Sequence, residues 1–359
     1  MNLVIATLGL LAAQTAPELT LPRHPSLSPD GSQIAFSHQG DIWVAAVPGG
    51  RAQRLTAHDA YDGRPYWSPD GSQLAFASNR HSNFDVFVVA ANGGQPTRIT
   101  WHSDSERIHG WLDNERVLIG AQRDRRYSRR DNGAWVAYLD GRTPTILGDW
   151  AMKNPAISAD ASMLVYERGH GDQKRRAYRG TASSALWSYN FADDVHTELT
   201  VFDGNDLEPA IGVNGKWIYF LSDRACKGNE QGRDLGLWRM PVAGGEPGLV
   251  VHPGNRSLRN LQLASGAELA VAELEMGIAL IDLQTGELSE QKVYGSIDGS
   301  MPPIVDFTVD GGVDEYVVSG DGESIAFIAK GDLFVMRNHA DIKRATRLTK
   351  HAAAEGNPV

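Results

Sequence analysis

The sequence predicts an all-β chain of repeated four-stranded blades, a β-propeller, and three observations carry that reading. A turn motif recurs at fixed spacing, an aromatic residue recurs in a strand behind it, and a Gly-Gly turn leads into a closing strand. Ser28-Pro29-Asp30-Gly31 precedes Ser32-Gln33-Ile34-Ala35-Phe36, and Ser68-Pro69-Asp70-Gly71 precedes Ser72-Gln73-Leu74-Ala75-Phe76, 40 residues further on. That period suits a four-stranded blade.

The motif's chemistry is local. Ser at the first position, Pro fixing φ at the second and Gly at the fourth are the preferences of a type I turn. The alternation that follows places Ile34 and Phe36 on one face and Gln33 and Ser37 on the other, the pattern of a half-buried strand. A second turn leads into Asp41-Ile42-Trp43-Val44 or Asp85-Val86-Phe87-Val88. The Gly-Gly turns at Gly49-Gly50 and Gly93-Gly94 then lead into strands ending Arg54-Leu55-Thr56 and Arg98-Ile99-Thr100.

Later units are degenerate but follow the same order. Asn114 to Ile119 with Trp135-Val136-Ala137-Tyr138 forms a third, and Ile157-Ser158-Ala159-Asp160 with Leu186-Trp187 a fourth. Asn214-Gly215 with Leu237-Trp238 and Gly244-Gly245 forms a fifth. The sixth, Ser265-Gly266 to Ala272 with Ile278-Ala279, lacks the aromatic. Ser319-Gly320-Asp321-Gly322 with Asp332-Leu333-Phe334 and Arg347-Leu348-Thr349 restores the pattern as a seventh. The recurring Trp or Phe is expected to pack between neighbouring blades, since apolar residues flank it.

Composition narrows the function classes. A formal charge of −10 argues against general nucleic-acid binding. Cys226 is the only cysteine, which excludes an internal disulfide and a Cys-based metal cluster, and it reads as a packed, inert thiol. No cofactor is expected. The stretch Met1–Ala16 is apolar from Leu3 to Ala13, which resembles a signal-peptide core and is too short for a membrane span. It points to a periplasmic or secreted protein. A buried N-terminal strand in a cytoplasmic protein is the alternative.

The usual catalytic signatures are missing. The chain has no Gly-x-Ser-x-Gly elbow, no His-Glu-x-x-His pair, no phosphate loop and no Gly-x-Gly-x-x-Gly fingerprint. His58, His102 and His351 follow the strand-closing Thr of their units and read as structural. Two loops depart from the repeat: Arg125, Arg126, Arg129 and Arg130 in the third unit, and Lys174, Arg175, Arg176 and Arg179 in the fourth. On adjacent blades they would form a basic rim on an acidic protein. Such a rim is either a set of solvated loops or a collar for carboxylates such as peptide C-termini.

The units Ser-Pro-Asp-Gly-x-x-Ile-Ala-Phe, Gly-Asp-Ile-Trp-Val and Arg-Leu-Thr resemble TolB-type, WD40-like propeller repeats. His24-Pro25-Ser26-Leu27-Ser28, Tyr61-Asp62-Gly63-Arg64-Pro65, Asn79-Arg80-His81, Tyr178-Arg179-Gly180-Thr181 and Phe202-Asp203-Gly204-Asn205-Asp206 narrow the likeness. They resemble the N-terminal part of tricorn-type serine peptidases of the S41 class. The resemblance implies a six-bladed propeller over residues 21–295, a linker over 296–312, and the first blade of a second, truncated propeller over 313–359. Glu355 to Val359 reads as the lead-in to a further turn, so the chain is expected to be part of a longer protein.

The resemblance further implies PDZ-like and catalytic domains beyond this chain, to which the propellers gate or channel peptides. No catalytic residue is carried over. Partners would be peptides or proteins, and a homo-oligomer fits the same reading. Two alternatives remain: a TolB-like module for protein–protein interaction, and the regulatory propeller of a prolyl-oligopeptidase-type hydrolase.

Overall fold

A computed structural model describes residues 16–123, 133–148, 152–158, 160–170, 177–296, 313–329, 331–339 and 344–349. The chain divides into two compact units, Met1–Ser296 and Ile297–Val359. The described residues contain strands, turns and bridges but no helix.

The first unit holds six antiparallel sheets of four consecutive strands, the first extended by a fifth short strand. Each Ser-Pro-Asp-Gly motif forms the turn between the first and second strands of its sheet. The Gly31 N–H donates to the Ser28 carbonyl at 2.9 Å, and Gly71 repeats this bond to Ser68. The Asp then organises the turn. The Asp30 carboxylate accepts from the Ser28 hydroxyl at 2.6 Å and the Ser32 N–H at 3.0 Å, which holds its pKa down at about 2. Asp160 repeats the arrangement.

Six apolar clusters fill the spaces between consecutive sheets. Ala35, Ile42, Phe76 and Phe87 join blades 1 and 2, and Val86, Ile108, Ile119 and Trp135 join blades 2 and 3. Leu118, Leu164 and Tyr166 join blades 3 and 4, and Val165, Leu186, Phe220 and Trp238 join 4 and 5. Leu207, Leu237, Leu258 and Ile281 join 5 and 6. The last cluster packs Ile34, Phe36 and Trp43 of blade 1 against Ala264, Val271 and Ile278 of blade 6, and it closes the ring. The ring also has a backbone latch: Val293–Tyr294 pairs in parallel with Gly50 and Arg51 on the outer strand of blade 1. The Leu19 N–H donates to the Val293 carbonyl at 2.8 Å.

This packing corrects the expectation of half-buried strands. In Gln33–His38 only Gln33 is exposed, and Ser37 on the supposed outer face is 1% exposed. The physical reason is stacking: each inner blade region has a neighbour on both faces. The recurring aromatics are buried at Trp43, Phe87, Trp135 and Trp238. Trp187 is only half-buried, with the Arg168 guanidinium 4.6 Å from its ring. Ala279, where the aromatic is absent, is completely buried.

The second unit contains one four-stranded sheet, Val313–Val318, Ser324–Ala329, Asp332–Arg337 and Thr346–Arg347, with Phe327 and Phe334 stacked at 5.6 Å. Residues 1–15, 297–312 and 351–359 lie outside the described residues. The signal-like segment, most of the expected linker and the lead-in to an eighth unit fall there.

Candidate functional site

The first strands of the six blades are Arg23–Leu27, Asp62–Trp67, Arg107–Trp111, Lys153–Ile157, Asp206–Ile211 and Leu258–Leu263. Each is broken by a bulge where it pairs with its second strand. At the break, five strands place a non-glycine residue in the left-handed region: His24 at φ 50, Arg64 at 57, Asn154 at 44, Glu208 at 50 and Asn260 at 50. The third strand has Gly110 instead, directly after His109. In four strands the next residue is proline: Pro25, Pro65, Pro155 and Pro209. Proline has no N–H to lose, so it sits where the ladder is already interrupted. Left-handed backbone at non-glycine positions is costly and concentrates at functional sites.

The bulges re-aim side chains. His24, Arg64, Tyr66, Arg107, His109, Asn154, Glu208, Asn260 and Gln262 together line one cavity of about 240 Å³, walled by all six first strands. Three of the bulge N–H groups released from the ladder find acceptors on neighbouring blades. Arg64 N–H donates to the Ser37 hydroxyl at 3.0 Å, His24 N–H to Glu273 Oε1 at 2.6 Å, and Glu208 N–H to Glu167 Oε1. Ser37, Glu167 and Glu273 hold the same place in their respective second strands. Glu167 also accepts from Asn154 Nδ2 at 2.6 Å, while Glu208 Oε2 accepts from the Leu261 N–H at 2.8 Å.

The charged residues of the lining are Arg64 and Arg107 from blades 2 and 3 and Glu208 from blade 5; Arg23 and Glu273, outside the lining, pair with each other at 3.0 Å. Burial, reinforced by Arg64, Arg23 and Arg107, drives the His24 pKa down to about 3. Burial with Arg107 and Arg64 does the same to His109. Both imidazoles are therefore neutral near pH 7. His109 finds room over Gly120, where an added Cβ would come within 2.6 Å of its Nε2. Burial also lowers the Arg64 pKa, with Arg107 contributing, and raises that of Tyr66.

The basic rim expected from the sequence fares differently. Arg125, Arg126, Arg129, Arg130, Lys174, Arg175 and Arg176 lie outside the described residues. Arg179 is described, and its guanidinium is committed within the protein. It pairs with Asp223 at 3.0 Å, donates to the carbonyls of Tyr178 and Gly232, and lies 5.2 Å from the Phe202 ring. Two of the repeat histidines bond within their own turns: His58 Nδ1 accepts from the Ala60 N–H at 2.9 Å, and His102 Nδ1 from the Asp104 N–H at 3.1 Å; His351 lies outside the described residues.

The cavity residues were missed because each appears singly in the sequence. The available signal was the recurring residue–proline pair, His24-Pro25, Arg64-Pro65, Asn154-Pro155 and Glu208-Pro209, a few residues ahead of each turn.

Six four-stranded blades closed around a polar cavity define a six-bladed β-propeller. The family described as the tricorn protease N-terminal beta propeller domain matches residues 19–287, and the chain belongs to that family. It is 30% identical over 282 residues to "Tricorn protease homolog 1" of Streptomyces coelicolor, a match spanning 75% of this chain and 26% of that protein. The crystal structure of the tricorn protease superposes with a TM-score of 0.64 at 16% identity, covering 94% of this chain and 32% of that one. A chain from the crystal structure of a nidogen/laminin complex reaches 0.52 at 12% identity, covering 73% of this chain and 96% of its own. These two likenesses concern the fold. The chain spans about a quarter of the length of its curated relative.

Proposed function

We propose that this chain is the non-catalytic propeller portion of a tricorn-like serine protease, and that peptides pass through its central cavity on their way to or from a catalytic domain elsewhere in the same protein. The observation that carries the reading is the cavity itself: within a chain of this family, six bulged first strands turn polar side chains onto one axial space. Hydrogen-bonding groups from every blade suit a peptide backbone, which presents donors and acceptors along its length. Partners in this reading are peptides, the protease domain and further copies of the protein. The apolar segment at Leu3–Ala13 supports a periplasmic or secreted location.

The test is to narrow the cavity without touching its charges. Ala210 lines it from blade 5, and Ala210→Trp fills part of the space. In the full-length protein, turnover of peptides of about ten residues should fall severalfold while turnover of a short chromogenic substrate is retained. Unchanged turnover of the longer peptides in a folded variant would count against passage through this propeller.

A further inference from the structure

We propose that Arg64 and Arg107, flanked by His24 and His109, form a binding site for a small oxyanion, a carboxylate or a phosphate, inside the propeller cavity. The proposal deepens the peptide-passage reading by naming what the cavity holds, but the site's existence does not require passage.

Three observations converge. First, Arg64 and Arg107 come from the adjacent blades 2 and 3 and line the same cavity. Among the described residues neither guanidinium makes a hydrogen bond or ion pair; the one bond of Arg64 is from its backbone N–H. This contrasts with the arginines at repeat positions, where Arg54, Arg80, Arg98, Arg123 and Arg224 each bind a buried carboxylate. Arg64 is half-buried and Arg107 exposed; the charges of Glu208 and Glu273 act on Arg64 without forming an ion pair with it, and two guanidinium groups on one cavity repel.

Second, the backbone is strained to place Arg64 there, at φ 57, when the equivalent positions of blades 4 and 6 carry asparagine, which tolerates that conformation better. Third, His24 lines the cavity with its Nδ1 buried and unpartnered. Both histidines are held neutral by burial and by the arginines. A neutral imidazole can donate one N–H to an anion while adding no charge. The guanidinium fork supplies parallel N–H donors matched to the two oxygens of a carboxylate or two of a phosphate. Glu208 is the acidic residue of the lining, on blade 5, while Glu273 is paired with Arg23 at 3.0 Å, so an anion is favoured toward blades 2 and 3.

The experiment uses the full-length protein in low-chloride buffer and isothermal titration calorimetry with three probes: inorganic phosphate, N-acetyl-alanyl-alanine, and the same dipeptide as its C-terminal amide. Binding of phosphate, of the free-carboxylate dipeptide, or of both supports the site and identifies the source of the oxyanion. The amide should not bind. Arg64→Asn, which suits the left-handed backbone, and Arg107→Gln should each weaken binding by about tenfold or more, the loss expected for a charged hydrogen bond. Arg64→Lys keeps the charge, guards against loss of fold and should give an intermediate affinity. Dipeptide affinity should be flat between about pH 5 and 8, because the site's charge comes from arginine.

Absence of binding by both anions, or binding unchanged in both arginine variants, overturns the proposal. Anion binding with peptide turnover unaffected by Ala210→Trp would remove the passage reading alone. The reverse result would remove the oxyanion site alone.

Discussion

At the residue scale the two cavity histidines have a measurable consequence. His24 and His109 titrate at about 3 in the folded protein against 6.5 in the unfolded chain. Between those values the unfolded chain binds more protons, so stability rises with pH through the window and is fully present above 6.5. Burial sets this first, reinforced by Arg64, Arg23 and Arg107 at His24 and by Arg107 and Arg64 at His109, with Glu208, Glu273 and Tyr66 sharing the Arg64 field. Replacing both histidines, as His24→Asn with His109→Gln, should reduce proton uptake on unfolding near pH 5 by about two protons. Asparagine at position 24 copies what blades 4 and 6 already use at Asn154 and Asn260. The check is the slope of melting temperature against pH between 4 and 7, which should be shallower in the variant. An unchanged slope would mean that the rings are already protonated in the folded state.

At the scale of the element, an Asp, an Arg and a Thr form one device in blades 1 and 2 and in the second unit. Thr100 Oγ1 accepts the Val86 N–H at 2.9 Å, Arg98 Nε donates to the Thr100 carbonyl at 2.8 Å, and Arg98 Nη2 reaches Asp85 at 2.7 Å. Asp41, Arg54 and Thr56 repeat it in blade 1, and Asp332, Arg347 and Thr349 in the second unit. The Asp85 side chain is fully buried, so removing its partner strands a charge. Arg98→Ala should destabilise the protein by about 3 kcal/mol, with Asp85→Ala/Arg98→Ala recovering part of the loss. Urea titration of the two variants and the wild type measures this; equal losses in the single and double variants would deny the pair its role.

The Ser-Pro-Asp-Gly turn was legible in the sequence because its chemistry is local, and the Asp, Arg and Thr of the device were visible as recurring residues, though not as partners. Each involves residues within one hairpin pair, and the repeat displays them several times. The bulged first strands were not. Their N–H acceptors lie far away in sequence, as Glu273 does from His24, and two of the six strands, Arg107–Trp111 and Leu258–Leu263, contain no proline. The burial of Ser37 was equally invisible, since an alternating strand reads as half-exposed until the neighbouring blade is placed against it.

On the scale of the whole first unit, closure rests on apolar packing and a short latch. Blades 1 and 6 each supply their own four strands, so Phe36, Trp43, Val271 and Ile278 join the ends with the help of Val293–Tyr294. Closure is what turns six separate bulges into one cavity. The fold was accessible from the repeats, and the family from further segments such as Tyr61–Pro65 and Phe202–Asp206. The cavity was not, because it exists only when the ring is complete.

Photo-cross-linking shows whether peptides enter this cavity. A peptide of about ten residues carrying a benzoylphenylalanine would be irradiated with the full-length protein and the adducts mapped by mass spectrometry. Adducts are expected on the first strands, at residues such as Tyr66, Ala156, Ala210 and Leu261, suppressed by an excess of unlabelled peptide. Competed adducts confined to the outer strands of the blades, such as Gly50–Arg54 or Val195–Glu198, would contradict peptide entry.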